Sequence, residues 1–194
     1  MENHKEMEDI FYTFPIKNGN SFSITSLLGD ILISAQDKYG PRDMSYTILG
    51  IEFTTKEQPQ IWFPRDCKNI AIQITIDCRF NAPKAIYQVA HEAIHCLSPA
   101  LGEATYLEEG LATYFSQDFT QSFCDIDFQP EIERYHIACN LVKKLLDINP
   151  NIIKELRKET PQISALSKEM LVERIPNIPL DLAEKLTTRF SQSI

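Results

Sequence analysis

Between Asn81 and Ser98, apolar residues recur at helical spacing (Ala85, Ile86, Val89, Ala90, Ala93 and Ile94), and the same stretch contains His91-Glu92-Ala93-Ile94-His95. The apolar stripe is the face that packs on a sheet. The histidines are a second constraint on the same helix. Residues four apart project from nearly the same side, so two imidazoles can close on one ion while Glu92 stands beside it to handle a bound water. Asn81-Ala82-Pro83 supplies a turn and a proline near the helix start, and Ser98-Pro99 ends the run.

Around this helix the chain predicts an α+β fold. An amphipathic helix spans Ser26 to Tyr39, with Leu27, Leu28, Ile31, Leu32 and Ala35 on one side and Gly40-Pro41 as its stop. Tyr46 to Phe53 and Ile61 to Phe63 read as extended, and Ile70 to Ile76 alternates at period two with β-branched residues. These elements define an N-terminal α/β lobe, residues 1–98, with a small mixed sheet. Helices are then expected at Leu107 to Ser116, Pro130 to Ile148, Ile152 to Lys158, Ile163 to Val172 and Asp181 to Phe190, punctuated by Pro150, Pro161, Pro176 and Pro179. They form a helical lobe, residues 99–194, of the same single domain.

The chain has 194 residues, 19 basic against 27 acidic side chains, and a net charge of −8. That balance opposes the counterion release that dominates nucleic-acid affinity, so no nucleic-acid partner is expected. Charges fill the first nine residues where a secretory signal needs an apolar run, and no stretch is long enough for a membrane span. A cytoplasmic, membrane-free protein is the expectation. Cys67, Cys78, Cys96, Cys124 and Cys139 are odd in number and lack Cys-x-x-Cys spacing, which argues for reduced thiols rather than disulfides or a thiolate metal site. Cys96 lies about 100° around the helix from His95 and reads as a small buried side chain.

Zinc in a hydrolytic site takes three protein ligands and keeps a fourth position for water, so the two histidines require a partner. His4, His136, Glu103, Glu108 and Glu109 are the candidates, and spacing favours the glutamates. The pattern His91-Glu92-x-x-His95 followed by Leu107-Glu108-Glu109-Gly110-Leu111-Ala112-Thr113-Tyr114-Phe115 resembles the gluzincin metallopeptidases, especially their aminopeptidase branch, over about Pro83 to Leu141. The resemblance implies a zincin-like fold, a Zn²⁺ cofactor, a peptide or protein substrate, and Glu109 as the third metal ligand beside His91 and His95. Glu108 falls where that family often has asparagine, about 100° away on the helix and so free for contacts to a ligand or to solvent. Two departures stand out. The gap from His95 to Glu109 is shorter than in the large aminopeptidases, and the Gly-x-Met-Glu-Asn segment that binds a free amine there is absent.

The expected activity is hydrolysis of a peptide bond by zinc-bound water, with Glu92 as the base that later returns its proton to the leaving amine. Tyr135, in a Tyr-x-x-small pattern similar to that of gluzincins, is the candidate donor to the oxyanion, with His136 as its competitor. Gln73 or Thr75 is a candidate for a strand edge that pairs with an extended substrate. The alternatives are a non-catalytic zincin-fold binding or scaffold protein, and a protease that clips one regulatory target.

Overall fold

Ser23 opens the first long helix by a reciprocal cap: its Oγ accepts from the Ser26 backbone N–H, and Ser26 Oγ accepts from the Ser23 N–H. The cap moves the start of α1 (Ile24–Tyr39) upstream of Ser26 and buries Leu27, Leu28, Ile31, Ala35 and Tyr39. The computed structural model describes residues 9–15, 21–65 and 68–194, so His4 and Cys67 lie outside the described residues. Ahead of α1, β1 (Phe14–Pro15) and β2 (Ser21–Phe22) form a short antiparallel pair.

The sheet is mixed and three-stranded. β3 (Thr47–Thr54) runs parallel to β5 (Asn69–Thr75), and β4 (Gln60–Trp62) runs antiparallel to it, in the order β3-β5-β4. The chain crosses from one edge to the other through residues 55–59 and then returns into the middle. In β5 the period-two pattern points Ile70, Ile72 and Ile74 to one face, where all three are fully buried. On the opposite face, Gln73 donates to Glu52 (2.7 Å) and accepts from the Gln60 side chain, forming a polar ladder across all three strands.

A 3₁₀ turn, Ile76–Phe80, leads into α2 (Ala82–His95), whose start is held by Asn81 Oδ1 accepting from the Lys84 N–H. The rest of the described chain is helical: α3 (Tyr106–Cys124), α4 (Glu133–Ile148), α5 (Ile152–Leu156), a 3₁₀ turn at Ile163–Ala165, α6 (Lys168–Arg174) and α7 (Leu180–Thr187). α2 packs most extensively on α3, and α3 on α4. One continuous apolar core runs from Ile10 through both halves to Leu186. No described helix is long and apolar enough to cross a membrane. Cys78, Cys96, Cys124 and Cys139 are free thiols, and Cys96 is fully buried as expected.

Besides the start of α1, and shifts of two or three residues at the start of α4 (Glu133, not Pro130) and the end of α5 (Leu156, not Lys158), three larger differences from the sequence expectation have a local cause. α3 continues well past Ser116, because Phe115, Phe119 and Phe123 stack along it at successive ring separations of 5.9 and 5.8 Å, and it stops at Asp125 in the left-handed conformation. The helix expected over Ile163 to Val172 is broken by Ser167, whose hydroxyl accepts from the Met170 N–H and starts α6. The last helix ends at Thr187, and residues 188–192 turn back to pair with the segment before α3 through an antiparallel bridge between Thr105 and Arg189.

Arg157 ties this architecture together from inside. Its buried guanidinium donates to the carbonyls of Tyr39 (2.7 Å), Gly40 (3.0 Å), Pro41 (2.9 Å), Leu97 (3.2 Å) and Pro161 (2.9 Å). The carbonyls beyond the ends of α1 and α2 carry partial negative charge and need donors, which one planar fork supplies without a carboxylate. Burial lowers the Arg157 pKa to about 10, which leaves the side chain charged at neutral pH.

Candidate metal centre

The centre lies where the C-terminal end of α2 meets the N-terminal end of α3. His91 and His95 occupy the last turn of α2, and Glu108 and Glu109 the first turn of α3, started by Thr105 Oγ1 accepting from the Glu108 N–H (3.3 Å). Helix dipoles favour positive charge at the first location and negative charge at the second, so the juxtaposition suits imidazoles and carboxylates bound to a cation. Packing fixes the helices: Ala85, Ile86, Val89, Ala90, Ala93 and Ile94 are all fully buried on α2, as are Leu107, Leu111, Ala112 and Phe115 on α3.

His91 Nε2 lies 3.2 Å from one oxygen of Glu109, and His95 Nε2 lies 3.8 Å from the other. Each of the three residues offers a ligand atom, all within 4.8 Å of one another, so the group can hold a metal ion. Ligands tetrahedrally placed at ~2.1 Å from zinc stand ~3.4 Å apart, which fits this donor set with small adjustments. Glu108 takes the other side of His95: Nδ1 donates to Oε1 at 2.9 Å, orienting the ring so that Nε2 faces Glu109. Its second oxygen, Oε2, is buried with no hydrogen-bond partner among the described residues.

The electrostatics agree with a cation-binding site. Burial alone would lower the His95 pKa, but Glu109, Glu108 and Glu92 together raise it to about 10 in the metal-free protein. For Glu109 burial is outweighed by His95 and His91, and the carboxyl sits below its ordinary value. Glu92 goes the other way: burial pushes it up, against the pull of His95, His91 and the Ile61 backbone N–H on β4. The two carboxyls of one cluster are thus shifted in opposite directions.

The cleft over this centre encloses about 410 Å³, a volume in the range of small-ligand and peptide subsites. Tyr135 lines it, with its ring edge-on to His91 at 5.7 Å. Burial and the nearby Glu109 and Glu92 carboxylates raise the phenol pKa, so the hydroxyl stays a donor. His136 is not among the lining residues, and Glu103 is exposed, its carboxylate accepting from the Ser191 N–H. The expectation that Gln73 or Thr75 marks a sheet edge is corrected. β5 is the central strand, with Gln73 in the cross-strand ladder and the Thr75 hydroxyl bonded to Gln88 and Asp77. The edge that lines the cleft is β4, through Gln60 and Ile61, preceded by Glu57, Gln58 and Pro59.

Two features of the site escaped the sequence reading. Tyr87, one turn before His91, stacks on Phe128 (4.5 Å between rings) to form an aromatic wall; no spacing signal links residues so far apart. Gly110, directly after the third ligand, sits where a Cβ would lie 2.3 Å from the Ala138 carbonyl oxygen, so its absence lets α4 approach and bring Tyr135 over the centre. A glycine inside a helical pattern was the available signal for that contact. No protein-family model matches this chain, and neither does any curated protein or solved structure.

Proposed function

We propose that this chain is a zinc-dependent metallohydrolase of gluzincin type that cleaves peptide bonds. The observation behind this reading is the convergence of His91, His95 and Glu109 on one point with Glu92 buried on the same helix. The donor set of two imidazoles and one carboxylate, leaving a position open, is that of catalytic rather than structural zinc, which closes its fourth position. A bound zinc ion supplies Lewis acidity and a water of pKa near ~7.

The chain's own groups provide the rest. Glu92, whose proton affinity is raised by burial, takes the proton from the attacking water and returns it to the leaving amine. Tyr135 donates its hydroxyl hydrogen to the oxygen of the reacting carbonyl. The edge of β4 offers backbone groups along which an extended peptide can lie.

Metal analysis tests the site and turnover tests the reaction. Purified protein should contain about one zinc per chain, lost in His91→Ala and in Glu109→Ala. Glu92→Gln should keep the metal and lose at least ~10²-fold in cleavage of a peptide library. Metal content indifferent to both ligand substitutions would refute the centre. A zinc-loaded protein that cleaves nothing would instead support a binding protein.

A further inference from the structure

Residues 188–192 form a clasp on the helix ends that carry the site. The Tyr106 N–H donates to the Thr188 carbonyl (3.0 Å), and the Phe190 N–H to the Ala104 carbonyl (2.9 Å). The Tyr106 hydroxyl donates to the Gln192 carbonyl (2.9 Å), and Arg189 Nη1 to the Glu103 carbonyl (2.6 Å). This strip therefore holds the residues immediately before Glu108 and Glu109.

At its centre Phe190 packs against Tyr106 (5.0 Å between rings) and Tyr135 (4.9 Å), and its carbonyl accepts from Arg134 Nη1 (3.2 Å). Tyr135 is thus held on one side by His91 and on the other by Phe190. The helix bearing it needs this support. α4 begins at Glu133, and Ile132 at its N-cap supplies no side-chain bond, so its first turn is held by the backbone bond from the Tyr135 N–H to the Ile132 carbonyl (3.0 Å) without a cap. The close contact of Gly110 with Ala138 anchors α4 only one turn further on. Tyr135 stands between that anchor and an uncapped end.

We propose that Phe190 is a positioning residue for Tyr135, holding the phenol over the metal centre through ring packing from the 188–192 clasp. This rests on Tyr135 being the donor to the reacting carbonyl. Phe190 is not among the residues lining the main cleft, so it reaches the site only through its neighbours, and of the rings it packs against Tyr135 is the one that lines the cleft. Loss of its ring frees the first turn of α4, and a misplacement of ~1 Å at such a donor costs up to ~10²-fold in rate.

The test uses zinc-loaded full-length chain and the best peptide from the library digestion. Tyr135→Phe should lower kcat by ~10²-fold, and Phe190→Ala by at least ~10-fold, with KM and bound zinc unchanged in both. Phe190→Leu, which keeps the apolar volume and guards against a folding defect, should lose kcat like alanine, while Phe190→Tyr, which keeps the ring, should restore it. The Tyr135→Phe/Phe190→Ala double variant should be no slower than Tyr135→Phe alone. Additive losses, zinc loss in both Phe190→Ala and Phe190→Leu, or full activity of Phe190→Leu would overturn the positioning role. An active wild type whose Tyr135→Phe variant is equally active removes its basis while leaving the zinc peptidase intact. A zinc-loaded wild type that cleaves no peptide refutes both readings.

Discussion

The two walls of the cleft are built differently. The helical wall, α2 with α3 and α4, is set in the core and locked by a backbone approach at Gly110 that tolerates no added atom. The opposite wall is a three-residue edge strand, the loop before it, and residues 100–102, where Leu101 is 74% exposed. His91, His95 and Glu109, the group able to hold a metal ion, belong to the first, together with Glu92 and Tyr135. The contrast is one of constraint: the groups around the candidate centre sit where packing over-determines them, and the facing surface sits where substitution costs little.

The largest effect on this contrast should come from Arg157. Arg157→Ala leaves the Tyr39, Gly40 and Pro41 carbonyls without their side-chain donor and takes one of two donors from Leu97 and Pro161, and should destabilise the protein by about 4 kcal/mol in urea unfolding. Gly110→Ala should cost about 3 kcal/mol and reduce zinc content, since the clash at 2.3 Å is with backbone. Glu108→Ala should leave the fold intact but weaken zinc affinity by ~10- to 100-fold in chelator competition, with Glu108→Gln losing less because an acceptor for His95 Nδ1 remains. On the exposed wall, Leu101→Ser should shift stability by less than about 0.5 kcal/mol.

The smallest effect concerns the rim. Lys84, a cleft-lining residue, donates to Asp77, and that bond, with a second from Thr75, holds the Asp77 carboxyl below its ordinary value. A carboxyl lowered in the folded state stabilises above its unfolded value of ~3.9 and loses that contribution as pH falls through the folded value. Asp77→Asn should therefore flatten the acid limb of a stability-against-pH profile below about pH 4, by no more than ~0.5 kcal/mol for so exposed a pair. An unchanged acid limb would show the pair to be without energetic weight.

Elements whose cause is local were legible in the sequence. The helical stripe around His91 and His95 and the alternation of Ile70, Ile72 and Ile74 each report the face they bury. The nearness of His91 to His95 was legible because the spacing within α2 is itself geometry, whereas Glu109 needed a resemblance to single it out from Glu103 and Glu108. What stayed hidden depends on distant partners. Arg157 looks like any surface arginine until five carbonyls converge on it, and Phe190 looks like the last apolar residue of a helix until the chain reverses at Thr188. The central place of β5 was also hidden, because strand order is decided by how the chain crosses between edges and leaves no periodic trace.

Gly50 gives the sheet a polarity of its own. Its positive φ of 136° accompanies a register break in which Leu49 pairs with nothing on β5, so β3 bulges while β4 pairs in regular register over its whole length. A bulged edge makes a poor template for a foreign strand, and positive φ is a conformation that glycine adopts at little cost. One edge of the sheet is thereby made irregular, and the regular edge, β4, is the one that lines the cleft over His91, His95 and Glu109.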